Sequence, residues 1–171
     1  SLTNTDAEAE PIAKVLTTFA DIKGLAWAMS NHDISRLATR WGKDRTRIAA
    51  LLATTMPGAC FLYQGDEIGM TDGPGIDPPY DAAGRDAYRH PMQWTKFGGF
   101  SDGAPWLPMI NPERLNVETQ HNDGHSLLNL YRNLLRIRPS LNGPLTDIEV
   151  DGSLLTYRRR DHSIAINFGS E

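Results

Sequence analysis

The sequence predicts an α/β fold in which helices link a few parallel strands, followed by a run of antiparallel strands. Two observations support the first part. Apolar runs over residues 25–31 and 59–64 each follow a segment of helical periodicity. Helix, strand, helix, strand within about 60 residues argues for parallel strands joined by crossovers. The second part rests on the last thirty or so residues, where apolar and polar positions alternate as they do in half-exposed antiparallel strands.

In chain order, Ile12, Val15, Leu16 and Phe19 fall at i, i+3, i+4 and i+7, with Pro11 in a tolerated first-turn position, which predicts a helix over 7–20. A short strand follows at 25–31. Asp44 is placed to cap a second helix over 45–56, with Ile48, Leu51, Leu52 and Thr55 as its inward stripe. Pro57-Gly58 ends that helix, and 59–64 reads as a second buried strand with Cys60 as a small core residue. From 69 to about 124 the chain is crowded with Gly and Pro and shows no sustained periodicity. A segment this long inside a compact domain is usually functional or disordered. Its Pro-Met-Gln-Trp cluster favours an ordered excursion. A third helix is predicted over 126–138, with Leu127, Leu130, Tyr131 and Leu134 on one face and Pro139 as its stop. Strands are expected over 146–150, 153–159 and 163–168, with Asp161-His162 in a turn. The domain boundary implied is 1–140 for the helix-linked part and 141–171 for the start of a β domain.

Composition narrows the function. Seventeen basic and 21 acidic residues give a formal charge of −4. With no basic stripe, nucleic acid is not an expected partner. No apolar stretch approaches the roughly 20 residues that span a bilayer, so no membrane is expected either. Cys60 is the single cysteine, so no internal disulfide forms. A lone cysteine fits a reducing compartment, and the cytoplasm is the expected location. The chain opens Ser1-Leu2-Thr3 without an initiator Met or signal peptide, so the true N-terminus is expected to lie elsewhere.

Three segments carry chemistry. The run Trp27-Ala28-Met29-Ser30-Asn31-His32-Asp33-Ile34-Ser35-Arg36 passes abruptly from apolar to polar. Polar groups at the end of a buried strand are costly to desolvate unless they pair with each other or meet a ligand. Phe61-Leu62-Tyr63-Gln64-Gly65-Asp66-Glu67 repeats that design, ending in acids. Gly84-Arg85-Asp86-Ala87-Tyr88-Arg89-His90-Pro91-Met92-Gln93-Trp94 then sets two arginines in an irregular stretch. Arginine suits the gripping of neighbouring hydroxyls and carboxylates because its planar donors form a rigid fork.

In this order the three segments resemble the α-amylase superfamily of glycoside hydrolases, and within it the α-glucosidase and oligo-1,6-glucosidase branch. The resemblance implies the C-terminal portion of a (β/α)8 barrel. Residues 25–31 and 59–64 would be strands seven and eight, and 7–20, 45–56 and 126–138 would be the helices after strands six, seven and eight. The last strands would open a C-terminal β-sandwich domain. A whole barrel needs about 250 residues, so this chain cannot be one.

Glycoside hydrolysis needs two carboxyl groups flanking the scissile bond, about 5–5.5 Å apart in retaining enzymes. In the family these lie at the ends of strands four and five, which have no counterpart here. A third carboxylate, the Asp of Asn-His-Asp, stabilises the transition state, and by resemblance that residue is Asp33. His32 and Arg89 would bind the sugar, while Asn31, Arg36, Asp66, Glu67 and Arg85 would support the site. Gly65-Asp66-Glu67 stands where many relatives read Gly-Glu-Glu, and His90 where relatives often carry Thr. Arg85 is expected to pair with a nearby acid such as Asp86. Met92, Gln93, Trp94 and Trp106 are expected to pack, and His121 and His125 to face solvent.

The sequence shows no metal-ligand spacing and no phosphate loop, so no cofactor and no metal are expected in this chain. The calcium site frequent in the family belongs to an absent part of the barrel. Its partners would be an α-glucoside oligosaccharide and the remainder of the barrel. The leading expectation is a fragment of a retaining α-glucosidase. A transglucosidase such as trehalose synthase or sucrose isomerase is the alternative within the fold. A relative of the amino-acid-transporter heavy chains is the non-enzyme alternative, and the intact His32-Asp33 with Arg89 weighs against it. Two geometric consequences follow: the two short strands lie side by side and parallel, and Asp33 and Arg89 converge.

Overall fold

The structure is a computed structural model that describes Leu2 and residues 5–169. It divides into two compact units. Unit 1 comprises Ser1–Met29, Arg47–Phe61 and Tyr131–Glu171, and unit 2 comprises Ser30–Thr46 and Leu62–Leu130.

Unit 1 opens with helix α1 (Ala9–Phe19), which buries Ala9, Ile12, Ala13 and Leu16. Ile12 and Leu16 turn inward as expected, with Ala9 and Ala13 beside them, while Val15 and Phe19 are only partly buried. Strand β1 (Ala26–Ala28) pairs in parallel with β2 (Ala59–Phe61), in the register Ala26↔Ala59, Trp27↔Cys60 and Ala28↔Phe61. The parallel pairing is as expected, but both strands are shorter than the apolar runs that contain them. Trp27 anchors the pair, donating from Nε1 to the Pro57 carbonyl at 2.6 Å and meeting Phe19 edge-on at 6.0 Å. Strand β2 is not buried. Phe61 is 59% exposed, Ala59 is exposed and Cys60 is only half-buried. Among the described residues β2 pairs with β1 alone.

Short helix α2 (Leu37–Arg40), unforeseen from the sequence, follows β1 along the chain. Helix α3 (Thr46–Thr55) begins after a 3-10 turn over Lys43–Arg45, so Asp44 lies inside that turn and not at the helix cap. Ala49, Ala50, Leu52, Ala53 and Met56 are buried, whereas Ile48 and Leu51 are only partly so. The end of α3 is closed by side chains from far along the chain. Arg138 donates to the Thr54, Met56 and Gly58 carbonyls, and Arg159 to that of Thr55. Helix C-termini leave carbonyls without intrahelical partners, and cationic donors also complement the helix dipole there.

Helix α5 (Leu127–Ile137) runs on into a 3-10 turn over Arg138–Ser140 that contains Pro139. Strands β3 (Leu145–Asp151), β4 (Leu154–Arg159) and β5 (His162–Asn167) then form an antiparallel sheet in the order β3-β4-β5. Leu155, Tyr157 and Arg159 alternate inward along β4, as Ile164 and Ile166 do along β5. The turn between β4 and β5 is Arg160-Asp161, one residue earlier than expected, with Arg160 at φ 53°. Helix α1 lies against β3 and β4. The Tyr157 hydroxyl shares a 2.6 Å hydrogen bond with Thr55, and burial pushes its pKa up to about 12.

Unit 2 is held by a small apolar cluster of Ile68, Met70 and Met92, against which Leu115, Val117 and Leu128 pack. The 69–124 excursion is ordered, as its aromatic cluster predicts, and it contains a 3-10 turn over Asp86–Tyr88 and helix α4 (Val117–His121). Asn116 caps α4 by accepting from the Thr119 amide at 2.8 Å. Met92 and Gln93 are buried as expected, and the Gln93 amide donates to the Leu115 carbonyl at 2.7 Å. Trp94 and Trp106 are not buried: both are exposed, and Trp106 meets Tyr80 at 5.6 Å. The excursion encloses its sulfur and aliphatic residues and leaves these larger rings outside.

Candidate functional site

The polar cluster after β1 lies wholly in unit 2. Asn31 shapes it locally, its side-chain oxygen accepting the Asp33 amide at 2.8 Å in a tight turn. Ser30 closes the other end, its hydroxyl accepting the Leu37 amide at 2.9 Å. Asp72 fixes residues 35 and 36, accepting from the Ser35 hydroxyl and from the Arg36 amide at 2.7 Å. Between these anchors the loop presents His32 and Asp33, both exposed.

The Asp33 carboxylate is half exposed and meets three nitrogens. Arg85 Nη1 bonds to it, Arg89 Nη2 lies at 3.5 Å and His32 Nε2 at 3.3 Å. All three reach the same oxygen, Oδ1. Arg89 also donates from Nε to the His32 carbonyl at 3.0 Å, tying the two chain segments together. Asp33 and Arg89 thus converge, as the motif order predicts.

Arg85 does not pair with Asp86. It grips Asp81 with Nε at 2.6 Å and Nη2 at 2.9 Å, while its third nitrogen turns to Asp33. Arg89 Nη1 lies 3.6 Å from the same Asp81. Two aspartates and two arginines therefore alternate around a ring. Arg85 holds the Asp81 carboxyl well below the usual carboxylate range, and Asp81 in turn raises the Arg85 guanidinium. Asp86 is buried instead, accepting the Tyr80 and Asp81 amides at 2.8 and 3.2 Å. That role sets the backbone at Asp81 and leaves Asp86 no geometry for Arg85.

Arg36 is 2% exposed and structural: Nη1 donates to the Gln64 carbonyl at 3.0 Å, and the guanidinium lies 4.6 Å over the Tyr63 ring. The Tyr63 hydroxyl donates to the Tyr88 carbonyl at 3.0 Å, steadying the residue before Arg89. Gly65 is required beneath this stack. Its φ is +103°, and a Cβ there would stand 2.7 Å from both Arg36 Nη1 and the Met70 sulfur.

Of the two acids after β2, Glu67 accepts the Gly65 amide at 2.7 Å. Asp66 is 4% exposed, and its Oδ1 is buried with no hydrogen-bond partner among the described residues. Burial pushes its pKa up to about 6; the Ser30 hydroxyl, Arg36 and Arg40 oppose the rise, and Glu67 adds to it.

His90 is buried with its ring nitrogens facing the Pro108 and Pro74 carbonyls at 2.8 and 3.1 Å. His121 and His125 are exposed. Among the described residues no group of three or more His, Cys, Asp or Glu side chains is arranged to hold a metal ion, and no helix is long and apolar enough to cross a membrane. Asp72 and Asp81 went unforeseen. Each is a lone acid in an aperiodic stretch, and only the spacing Asp81-x-x-x-Arg85 hinted at a local pair.

Comparison with protein families matches residues 3–143 to the α-amylase catalytic domain. The salivary alpha-glucosidase of Aedes aegypti is 35% identical over 170 residues, covering 85% of this chain and 29% of that protein. A probable oligo-1,6-glucosidase of Bacillus subtilis is 30% identical over 195 residues, covering 88% and 35%. The chain spans about a third of the length of these relatives. Among solved structures, the trehalulose synthase of Pseudomonas mesoacidophila MX-45 superposes with a TM-score of 0.79 at 27% identity, covering 95% of this chain and 38% of that one. A mutant isomaltulose synthase of Erwinia rhapontici NX5 in complex with sucrose gives 0.78 at 27% identity, covering 96% and 38%.

Proposed function

The chain belongs to the α-amylase catalytic-domain family, and from that premise we propose that it is the part of a retaining α-glucosidase that holds the sugar without breaking its bond. In this reading β1 and β2 are the last two strands of the barrel, and the enzyme acts on maltose- or isomaltose-type oligosaccharides. The supporting observation is the geometry of Asp33. Its carboxylate is gripped through Oδ1 by Arg85, Arg89 and His32, and Oδ2 takes none of those contacts. A half-exposed carboxylate held through one oxygen can accept from a sugar hydroxyl with the other.

Fixed negative charge near the anomeric carbon lowers the barrier to an oxocarbenium-like transition state. Asp33 supplies that charge, and the arginines supply orientation. His32 stands beside the same oxygen, placed to donate to a sugar hydroxyl. The nucleophile and acid/base belong to earlier strands of the enzyme. A second reading keeps this site and passes the glucosyl group to a sugar hydroxyl in place of water. The likeness to trehalulose and isomaltulose synthases favours it.

The test is Asp33→Asn in the full-length enzyme, assayed on maltose, isomaltose and sucrose. A contact that matters most in the transition state shows as a large fall in kcat with little change in KM. Near-normal kcat with only a raised KM would remove that role. Isomerised products from sucrose in the wild type would select the second reading.

A further inference from the structure

The ring around Asp33 contains a second carboxylate whose position has a consequence for the first. Asp81 takes the two-point face formed by Nε and Nη2 of the Arg85 fork, so Arg85 meets Asp33 through its remaining nitrogen, Nη1. Arg89 is divided in the same way, with Nη1 toward Asp81 and Nη2 toward Asp33. Asp81 is itself held in place, its amide donating to buried Asp86 and its Oδ2 accepting the Arg85 amide at 3.1 Å.

We propose that Asp81 is a positioning residue: by drawing Arg85 and Arg89 onto a second carboxylate, it lets both arginines orient Asp33 without neutralising it. This rests on the reading of Asp33 as the carboxylate that meets the sugar. Two guanidiniums with two carboxylates are electrically balanced, whereas two guanidiniums on Asp33 alone leave an excess positive charge beside a carbon that itself becomes positive. Guanidinium and carboxylate pair preferentially through two parallel bonds. Without Asp81, the freed Arg85 fork closes on both oxygens of Asp33 and covers Oδ2, the oxygen the sugar needs.

The test compares Asp81→Asn, Asp81→Glu, Arg85→Ala and the double variant Asp81→Asn/Arg85→Ala in the full-length enzyme, with kcat and KM measured on a chromogenic α-glucoside. Asp81→Asn is expected to lower kcat by about tenfold or more, with a smaller change in KM. Asp81→Glu is expected to recover most of that loss. The double variant is expected to turn over several-fold faster than Asp81→Asn alone, because the arginine that blocks Asp33 is gone. A purely structural role gives no such recovery. Wild-type kcat in Asp81→Asn, or a double variant no faster than that single one, overturns the proposal. Should Asp81→Asn fail to fold, Asp81→Ser retains an acceptor for the Arg85 amide and serves the same comparison. Asp33→Asn runs alongside. Full activity there overturns the reading of the site itself, whereas lost activity there with an unaffected Asp81→Asn overturns only the role of Asp81.

Discussion

At the scale of single residues, burial decides what each acid does. Asp33 is half exposed and carries its charge in three contacts, while Asp66 is nearly sealed and one of its oxygens has no partner among the described residues. The raised pKa of Asp66, about 6 against an ordinary 3.8, makes stability depend on pH. Between those values the folded chain keeps a proton that the unfolded chain releases, so the Asp66 contribution falls as pH rises through that window. The cost at neutral pH is on the order of 3 kcal/mol at most. Asp66→Asn cannot ionise and is expected to flatten that slope. Urea midpoints at pH 4.5 and 7.5 check this, and an unchanged difference between the two pH values would refute it. The residues named from sequence at this scale, Asp33, His32, Arg85 and Arg89, do meet. Their motif places each at a strand end or in the excursion, and an exposed carboxylate among arginines finds them. Arg85 does pair with a nearby acid, but with Asp81 four residues back and not with the adjacent Asp86.

At the scale of elements, periodicity located α1, α3, α5 and the antiparallel strands to within a residue or two and missed the short helices α2 and α4. Ile12, Leu16, Leu52, Thr55, Tyr131 and Leu134 are buried as expected, but the alanines beside them were not named. In α3 the buried face is built largely from Ala49, Ala50 and Ala53, which a search for large apolar residues passes over. Strand β2 shows a related limit. Ala-Cys-Phe contains no polar residue to reveal that one face is open. The turn that feeds β2 depends on Gly58, whose φ is +95°. A Cβ there would stand 2.3 Å from the Leu25 carbonyl oxygen, the acceptor of the Ala59 amide that begins the β1–β2 pairing. Backbone cannot yield as a flexible side chain does. Gly58→Ala is expected to destabilise the chain by about 2–4 kcal/mol, read as a lowered denaturant midpoint. A loss below 1 kcal/mol would mean that the turn relaxes freely.

At the scale of the whole molecule, the proposed reading gives this segment a sugar-binding arrangement without a complete catalytic apparatus. Purified alone, the 171-residue chain is expected to hydrolyse neither maltose nor isomaltose above a buffer blank. A retaining mechanism needs a nucleophile and an acid/base, and in the proposed reading both belong to strands outside this chain. Turnover by the isolated chain, abolished by Asp33→Asn, would show the catalytic carboxylates to be misplaced. The exposed ring of Phe61 on a two-stranded sheet makes association of the isolated chain the expected companion result, visible by light scattering.

The order in which the chain builds its two units limits how it can be divided. The chain enters unit 2 at Ser30, leaves after Thr46, returns at Leu62 and leaves again after Leu130. Asp33 arrives on the first visit, and Asp81, Arg85 and Arg89 on the second. No single truncation frees unit 2 as one continuous polypeptide. A protease nick between residues 47 and 61 would leave the carboxylate on one product and both arginines on the other. Anyone wishing to transplant this arginine–aspartate cluster into another scaffold must therefore carry two strips of sequence and supply a new linker between them.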